Sequence, residues 1–437
     1  MSQKYCYYPY TSFTKKIISR YSTINEIIKC FFIAILISNF IFLSIFDNLW
    51  LNFISPFLTI FGFLKLFKFN KIKFFYTGFF IGILWFYWVS FSLRFYDLSY
   101  LIPIEILFFG LIYGLIFLVC GWFKNLYFRA FMLLSVSYFY PFNFNWLNLE
   151  ATLVIGIFEP NLRGLGFIFA FIIAYYSLNK FKFISIFLLI FALQFKQNVP
   201  NLLPLKIYLA NTNINQEIKW KNEYRNDQIK QVLNLINKAI MDGYEFIILP
   251  ENAIVSYVNL ELNLMQYLKE KSHNIGILTG GLAYENDFIY NSAFLFKDGD
   301  MKRFDKFILV PFGEEIPLPT FIKNFVNKIF FKGASDIKSA KNLSTYEING
   351  FKITNAICYE VTRPEIYANN PDFVIAISNN GWFMPSTEPN LQRLLIKYYA
   401  TKHATTIYHS VNGSKSEIIT PKKMWIKEFI MQIKSKS

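Results

Sequence analysis

The sequence predicts a protein of two parts, a polytopic α-helical membrane domain followed by a layered α/β domain. Three observations lead to this prediction. Long apolar runs are confined to roughly the first 195 of the 437 residues. A short linker with two prolines, residues 196–204, ends that region. After the linker, strand-like runs alternate with helix-like runs, which is typical of α/β domains.

The overall composition favours a membrane as the partner of this chain. Hydrophobic residues make up 54% of the sequence, aromatic residues make up 20%, and the net charge is +15. Basic charge attracts nucleic acid or anionic lipid, and the high hydrophobicity favours lipid. No cysteine and histidine residues have the spacing of a zinc site. We therefore expect a membrane protein that binds no nucleic acid, holds no metal and needs no cofactor.

The membrane domain is predicted from apolar runs, because a spanning helix needs about 20 mostly apolar residues. Seven candidate segments precede residue 200, although the last is short and leaves a count of six open. The segments are residues 26–46, 50–67, 74–94, 101–123, 127–145, 162–178 and 183–195.

The basic residues between these segments predict the orientation of the domain. Lysine and arginine are concentrated in the N-terminus and in the connections after the second, fourth and sixth segments. Basic connections stay on the cytoplasmic side of a membrane. With seven spans, residues 1–25 are cytoplasmic, residues 26–195 form the membrane domain, and residues 205–437 lie outside the cytoplasm. Six spans would leave that last part inside.

The α/β domain is predicted element by element from its periodicity. Two dipeptides, Asp298-Gly299 and Asn349-Gly350, are strong signals for hairpin turns. We expect helices over residues 220–240, 258–270 and 391–404. We expect strands over residues 205–213, 246–249, 275–278, 290–296, 307–310, 346–348, 351–358 and 373–378.

An insertion at about residues 315–340 interrupts this alternation. Within it, residues 321–330 carry apolar side chains at helical spacing opposite several lysines. Such a segment is typical of a helix that lies in the membrane interface. We expect this helix to act as a lid, and an ordinary surface helix is the alternative.

One thiol in the α/β domain suggests chemistry. Cys358 is the only cysteine after Cys120, so it is either a buried small apolar residue or a reactive group. Glu251 and Lys306 also come near the ends of predicted strands, where α/β folds expose functional groups. A carboxylate can take the proton of a thiol, and a lysine can stabilise an oxyanion. These three residue types could support nucleophilic catalysis, but the sequence alone does not bring them together.

Three motifs carry a resemblance to a known family. Leu-Pro-Glu at 249–251, Asp-Lys at 305–306 and Ile-Cys-Tyr-Glu at 357–360 resemble the Glu-Lys-Cys motifs of the nitrilase superfamily. Pro-Phe-Gly-Glu at 311–314 and the membrane half narrow the resemblance to the apolipoprotein N-acyltransferase family, over nearly the whole chain. The resemblance implies that residues 205–437 form a nitrilase-like αββα sandwich, which faces the periplasm from the inner membrane of a bacterium.

The resemblance also implies roles for single residues. Glu251 would be the general base, Lys306 the oxyanion stabiliser and Cys358 the nucleophile. Tyr359 would add its backbone N–H to the oxyanion hole. The remaining candidates are Glu314 and Glu360 as supporting carboxylates, each with a bland surface carboxylate as the alternative, and Trp146, Trp220, Asn291 and Trp382 as substrate-binding positions. Asn291 could instead be structural, and membrane-interface anchoring accounts equally well for each tryptophan.

The function that the resemblance implies is an acyl transfer. A phospholipid would donate a fatty acyl chain through a thioester on Cys358 to the α-amino group of a diacylglyceryl-cysteine at the N-terminus of an apolipoprotein. We expect a monomer. The alternatives are a membrane-tethered nitrilase-like amidase and a membrane scaffold or transporter without catalysis. The family usually has a final spanning helix, and residues 425–433 are too short and too charged to form it.

Overall fold

The structure of the chain is a computed structural model. It describes the backbone of residues 12–22 and the full residues 23–196, 199–311, 313–315, 337–425, 427 and 430. The predicted lid helix at residues 321–330 lies outside the described residues. The description below therefore concerns the membrane part and the two-sheet domain around that insertion.

The N-terminal part consists of apolar helices. The six α-helices are α1 (Ser12–Leu43), α2 (Leu49–Phe67), α3 (Lys71–Phe86), α4 (Ile102–Cys120), α5 (Leu126–Val136) and α6 (Leu162–Ser177). Asparagine side chains cap the backbone N–H groups at the starts of α2, α3, α5 and α6, which fixes where these helices begin. A 3-10 helix, Tyr87–Tyr96, continues α3, and another, Asn179–Ala192, follows α6.

Four helical segments among the described residues are long and apolar enough to cross a membrane. They are Thr23–Phe46, Leu49–Phe67, Lys71–Tyr96 and Ser99–Cys120. The other three predicted segments form shorter helices. The helix predicted over 127–145 ends at Val136, because the chain there turns through a loop in which Phe142 and Asn143 have positive φ. The count of seven spans stays a prediction.

Helices α3 and α4 make a close contact that sets the position of α4. Gly78 of α3 lies against Phe117 of α4, and a Cβ atom on Gly78 would come within 2.4 Å of the Phe117 Cβ. Small residues allow membrane helices to approach closely, where dispersion contacts and not hydrophobicity hold them together. One face of α4 also contributes to the cavity described below.

The α/β domain contains two six-stranded sheets. In the first, the order is β1-β3-β5-β6-β7 with β4 beside β5, and in the second it is β12-β11-β10-β9-β8 with β2 beside β11. The first sheet comprises β1 (Ile207–Leu209), β3 (Phe246–Ile248), β4 (Ile254–Tyr257), β5 (Gly276–Glu285), β6 (Phe288–Lys297) and β7 (Asp300–Asp305). The second comprises β2 (Asn211–Thr212), β8 (Thr345–Ile348), β9 (Phe351–Ile357), β10 (Phe373–Asn379), β11 (Thr406–Asn412) and β12 (Glu417–Ile419).

Helices cover the outer faces of the two sheets, which confirms the predicted αββα sandwich. They are α7 (Gln216–Lys219), α8 (Asn222–Met241), α9 (Leu262–Lys271) and α10 (Glu388–His403). Alternate residues of β10 show the layering. Ile375 and Ile377 pack between the sheets, whereas Val374 and Ala376 belong to the cluster that contains α10 and the membrane part. A strand points successive side chains to opposite faces, so β10 serves both cores.

Most predicted elements of this domain are present, and one predicted strand is wrong. Both hairpin turns form with positive φ at Asp298-Gly299 and Asn349-Gly350, as expected. The strand predicted over 307–310 is absent, because side-chain carboxylates and not a neighbouring strand accept its backbone N–H groups. Strands β4, β7, β11 and β12 were not predicted.

The loop after α5, residues 140–158, joins the membrane part to the α/β domain, and we call it the junction loop. Asn145 Nδ2 donates to the Thr362 carbonyl oxygen at 2.6 Å, and Trp146 Nε1 donates to Thr362 Oγ1 at 2.7 Å. The Tyr398 hydroxyl donates to Glu150 Oε2 at 2.7 Å. Because these donors and acceptors are buried, the contacts hold the two parts in one arrangement.

Candidate active site

Cys358 occupies a sharp turn at the end of a central strand. It follows β9 and begins the 3-10 helix Cys358–Thr362, with φ at +56°. A positive φ is strained for a residue with a Cβ atom, and such strain is concentrated at functional sites. The neighbouring Ile357 and Tyr359 are buried, while Cys358 is partly exposed to a cavity. The turn therefore presents the thiol to that cavity.

Glu251 lies in the turn that follows β3. The turn is seated directly on β5 because Gly280 has no side chain: a Cβ atom there would come within 2.7 Å of the Glu251 Cα. Lys219 Nζ donates to the Glu251 carbonyl oxygen at 3.2 Å. Burial lowers the pKa of Lys219 to about 8, and the charge of Glu251 opposes this shift. The Glu251 side chain is buried, and these two contacts fix its backbone.

Lys306 follows β7 and is buried beside two carboxylates. Its Nζ lies 2.6 Å from Glu314 Oε2, and Val310 N–H donates to the same oxygen at 2.9 Å. Burial opposes the charge on Lys306, but the carboxylates of Glu314 and Glu251 outweigh it and hold the pKa above its ordinary value. Lys306 is therefore a permanent positive charge at this site.

Asn291 on β6 connects the two carboxylates. Its Nδ2 donates to Glu251 Oε1 at 2.8 Å and to Glu314 Oε1 at 2.9 Å. The Asn291 carbonyl oxygen accepts the Lys306 N–H at 2.8 Å. Hydrogen bonds to charged groups are short and strong, so this one residue orients both acids and the start of the Lys306 segment.

Glu360 ties the Lys306 segment to the Cys358 turn. Its Oε1 accepts the N–H groups of Phe307 and Ile308 at 2.7 and 2.9 Å, and its Oε2 accepts the N–H of Ile357 at 2.7 Å. Burial raises the pKa of Glu360 to about 7, although Lys306 and the three N–H groups act in the opposite direction. Three donors to two carboxylate oxygens favour the ionised form. Glu360 is outside the cavity and supports the residues that line it.

The electrostatics around Cys358 favour a protonated thiol at rest. Burial and the charge of Glu251 raise its pKa well above the ordinary value, while Lys306 lowers it. A carboxylate next to a thiol that holds its proton can accept that proton during attack. The arrangement can thus provide a nucleophile, a base and a fixed cation for acyl transfer.

A cavity of about 640 Å³ contains this site, a volume typical of a ligand pocket. Its wall is mostly apolar and comes from both halves of the chain. Helix α4 contributes Glu105, Phe108, Phe109, Ile112 and Tyr113, which recur at helical spacing on one face. The remaining lining includes Trp88, Tyr96, Phe142, Phe144 and Trp146 from the membrane half, and Trp220, Glu251, Asn291, Lys306, Glu314, Cys358, Tyr359, Trp382, Phe383, Glu388 and Gln392 from the α/β domain.

The structure brings the three tryptophans identified in the sequence to this cavity in different ways. Trp146 is buried and bound to Thr362, so it is part of the junction loop as well as the wall. Trp220 is 40% exposed. Trp382 stacks on Tyr96 of the membrane half, with ring centroids 6.1 Å apart. Tyr359 also lines the cavity, while its hydroxyl group donates to the Asn143 carbonyl oxygen at 2.9 Å.

Two residues of α10 that line the cavity were missed from the sequence. Glu388 and Gln392 are each 1% exposed. They are four residues apart, which places them on one face of a helix. The available signal was a glutamate and a proline at a helix start, followed by a glutamine one turn later. This pattern is common at surface helices as well.

Comparisons with known proteins agree with this architecture. The model of the apolipoprotein N-acyltransferase integral membrane domain matches residues 24–195, and the carbon-nitrogen hydrolase model matches residues 209–405. The chain is similar to an apolipoprotein N-acyltransferase of Campylobacter jejuni subsp. jejuni, at 39% identity over 98% of this chain and 97% of that protein. It is also similar to one of Wolinella succinogenes, at 41% identity over 79% of this chain and 84% of that protein. Among solved structures, an amidase from Nesterenkonia sp. is 13% identical, with a TM-score of 0.37 over 49% of this chain and 81% of that one.

Proposed function

The chain belongs to the apolipoprotein N-acyltransferase family of integral membrane proteins, and from this premise we propose that it transfers a fatty acyl chain through a thioester on Cys358. The acyl donor is a phospholipid. The acceptor is the α-amino group of a diacylglyceryl-cysteine at the N-terminus of an apolipoprotein. Glu251 is the general base, and Lys306 stabilises the oxyanion.

The first half-reaction loads the enzyme. Glu251 takes the proton of the Cys358 thiol as sulfur attacks the ester carbonyl carbon of the phospholipid. The charge of Lys306 and the backbone N–H of Tyr359 stabilise the oxyanion that forms. The carbon–oxygen bond then breaks, the leaving lysophospholipid takes the proton from Glu251, and the acyl chain stays on sulfur as a thioester.

The second half-reaction empties the enzyme. The α-amine of the acceptor attacks the thioester carbonyl carbon, and Glu251 accepts a proton from the nitrogen. The carbon–sulfur bond breaks and Glu251 returns that proton to Cys358. The product is an amide, and the free thiol is regenerated. Splitting the transfer into two steps is the usual advantage of covalent catalysis.

The observation that supports a lipid donor is the cavity shared with the membrane helices. Phe108, Phe109 and Ile112 of α4 face the same space as Cys358. An apolar wall of this extent suits an acyl chain and excludes the water that would hydrolyse a thioester. A membrane-tethered amidase for small polar substrates would have no use for such a wall. The chemistry of the three motif residues alone would fit either enzyme.

We also propose that the protein is a monomer in the bacterial inner membrane and that its α/β domain faces the periplasm. The alternating basic connections support this orientation. Glu347 on β8 is exposed, so a cysteine at that position reports the side of the membrane. The variant Glu347→Cys should react with a membrane-impermeant thiol reagent in intact spheroplasts. Reaction only in inverted vesicles would contradict the orientation.

The central experiment traps the acyl-enzyme. The purified protein is mixed with a phospholipid that carries a labelled acyl chain, without acceptor, and the label on the protein is measured. We expect one label on Cys358 that neutral hydroxylamine removes. The variant Cys358→Ala should carry none, whereas Cys120→Ala, which changes a buried cysteine of α4, should label as the wild type does. Label that persists in Cys358→Ala, or none in the wild type, would contradict the mechanism.

A further inference from the structure

The start of α10 carries two side chains that line the cavity and have unpartnered polar atoms. Among the described residues, Glu388 Oε2 and Gln392 Nε2 are buried and have no hydrogen-bond partner. Nearly all buried polar groups in proteins are paired, so such exceptions require an explanation. Both side chains line the cavity that holds Cys358, so a substrate in that cavity can supply the missing partners.

The orientation of Gln392 is fixed by a neighbour. Its Oε1 accepts a hydrogen bond from Asn380 Nδ2 at 3.1 Å, and among the described residues its Nε2 has no partner. Glu388 is one turn earlier on the same helix face. The helix therefore offers an acceptor and a donor side by side, and both are independent of the hydrogen bonds that hold Glu251 and Glu314.

Glu388 differs from the other acidic groups of the α/β domain that line the cavity. Glu251 accepts from Asn291, and Glu314 pairs with Lys306 and Asn291. Glu388 forms no ion pair with any basic side chain in the part of the chain that the structure describes. An ionised carboxyl group that is buried without a cation costs free energy, and burial therefore raises the pKa of Glu388 well above its ordinary value. An N–H group of a ligand would give Oε2 the hydrogen-bond partner that it lacks.

We propose that Glu388 and Gln392 form a subsite for a primary amine, and that the amine is the α-amino group of the acceptor. Glu388 Oε2 accepts one N–H of the amine, and this leaves the nitrogen lone pair free to attack the thioester. Gln392 Nε2 donates to a carbonyl oxygen of the acceptor next to that amine. Proton transfer stays with Glu251, so Glu388 and Gln392 are positioning residues. This proposal rests on the proposed function.

The same chemistry could come from a second source, because the headgroup of phosphatidylethanolamine is also a primary amine. The two sources act in different half-reactions. A headgroup would be bound while the thioester forms, whereas the acceptor amine would be bound while it is consumed. Measuring the two half-reactions separately therefore tells the sources apart.

The test uses the full-length protein and the variant Glu388→Gln, with Glu347→Gln on the exposed surface of β8 as the matched control. Loading is followed with labelled phosphatidylethanolamine and with labelled phosphatidylglycerol. Unloading of the isolated acyl-enzyme is followed with a diacylglyceryl-cysteine peptide and with hydroxylamine, a small nucleophile that needs no subsite. A second variant, Gln392→Ala, repeats the series.

For Glu388→Gln we expect normal loading from both lipids and normal unloading by hydroxylamine. Unloading by the peptide should fall by about 10- to 150-fold, the loss typical of one hydrogen bond to a charged group, and mainly through a higher KM for the peptide. Gln392→Ala should show the same pattern with a smaller loss. Normal loading from both lipids also demonstrates that each variant is folded.

Other outcomes separate the hypotheses. A loss confined to loading from phosphatidylethanolamine would support the amine subsite and assign it to the donor headgroup. Unchanged unloading by the peptide together with unchanged loading would overturn the subsite. So would an equal loss in all four reactions, because Glu388 would then act through the thiol. Absence of any acyl-enzyme in the wild type would instead contradict the proposed function itself.

Discussion

Asn291 offers a sharp test of how the acids are held, because one amide group serves both. In the variant Asn291→Ala, Glu251 loses the only side-chain donor that the described residues give it. Glu314 loses one donor but keeps Lys306 and the N–H of Val310. We therefore expect the variant mainly to lose the fixed orientation of the Glu251 carboxylate, the proposed base.

The size of the effect follows from these contacts. A hydrogen bond to a charged group contributes about 1.5–3 kcal/mol, which corresponds to a loss of about 10- to 150-fold in the rate of thioester formation. The free energy of unfolding should fall by about 2–4 kcal/mol, because Glu314 keeps its other partners. The assay is single-turnover labelling of Cys358 by a labelled phospholipid, beside denaturant unfolding.

Ser292 provides the matched control on the same strand. Ser292 points to the opposite face of β6 from Asn291. Its hydroxyl group donates to Asp305 Oδ1 at 2.6 Å, and not to Glu251 or Glu314. Ser292→Ala should lower stability by a similar amount and leave the labelling rate within about threefold. Labelling of Asn291→Ala at the wild-type rate, or an equal loss in Ser292→Ala, would refute this reasoning.

Three further predictions concern the supports of the site. Glu360→Gln places an amide NH₂ group opposite backbone N–H groups such as that of Ile357, so the free energy of unfolding should fall by about 2 kcal/mol. An unchanged free energy of unfolding would contradict the proposed support. Lys219→Met removes an amino group whose pKa is lowered by burial from 10.5 to about 8. Between pH 8 and pH 10.5 the folded wild type therefore binds fewer protons than the unfolded chain does. Wild-type stability, compared with that of the variant, should therefore rise by about 3 kcal/mol from pH 8 to 10.5, and parallel pH profiles would contradict the shift. Trp146→Phe keeps an aromatic ring but loses the hydrogen bond to Thr362, so the free energy of unfolding should fall by about 1 kcal/mol with little change in labelling of Cys358. A much higher KM for phospholipid would instead show that the indole N–H binds the substrate.

The sequence predicted the layered domain because its turns and strands are encoded locally. Hairpin turns at Asp298-Gly299 and Asn349-Gly350 depend on residues that accept positive φ, which the sequence displays directly. The three motif residues each follow a strand, and the ends of neighbouring strands meet in space. The structure places Glu251, Lys306 and Cys358 in the wall of one cavity, although the resemblance to the nitrilase superfamily, and not the strand ends alone, had grouped them.

The remaining features depend on contacts between distant residues. Residues 307–310 have the composition of a strand, yet the carboxylates of Glu360 and Glu314 accept hydrogen bonds from their N–H groups in place of a neighbouring strand. No local sequence pattern predicts these hydrogen bonds. Asn291 was expected at a substrate-binding or structural position, and the structure shows it between two acids. Glu388 escaped notice because burial of a helix start is a tertiary property.

The membrane half illustrates a different limit. Apolar runs predicted seven segments well enough to locate the domain, but hydrophobicity does not tell a spanning helix from a buried loop. The asparagines of the junction loop were the available signal. Asn145 and Asn148 would be poorly solvated in a spanning helix, and here Asn145 donates to Thr362 while Asn148 caps the turn at Glu150.

The shared cavity has a practical consequence for handling the enzyme. Tyr96, Phe108 and Phe142 line the cavity and are also about 40% exposed on the membrane half, so the space is open where a solubilised protein is coated by detergent. An alkyl detergent then resembles the acyl chain of the proposed phospholipid donor and competes with it for the same wall. Apparent donor affinities measured in micelles should weaken as the detergent tail lengthens, and nanodiscs made of the donor lipid avoid this competition.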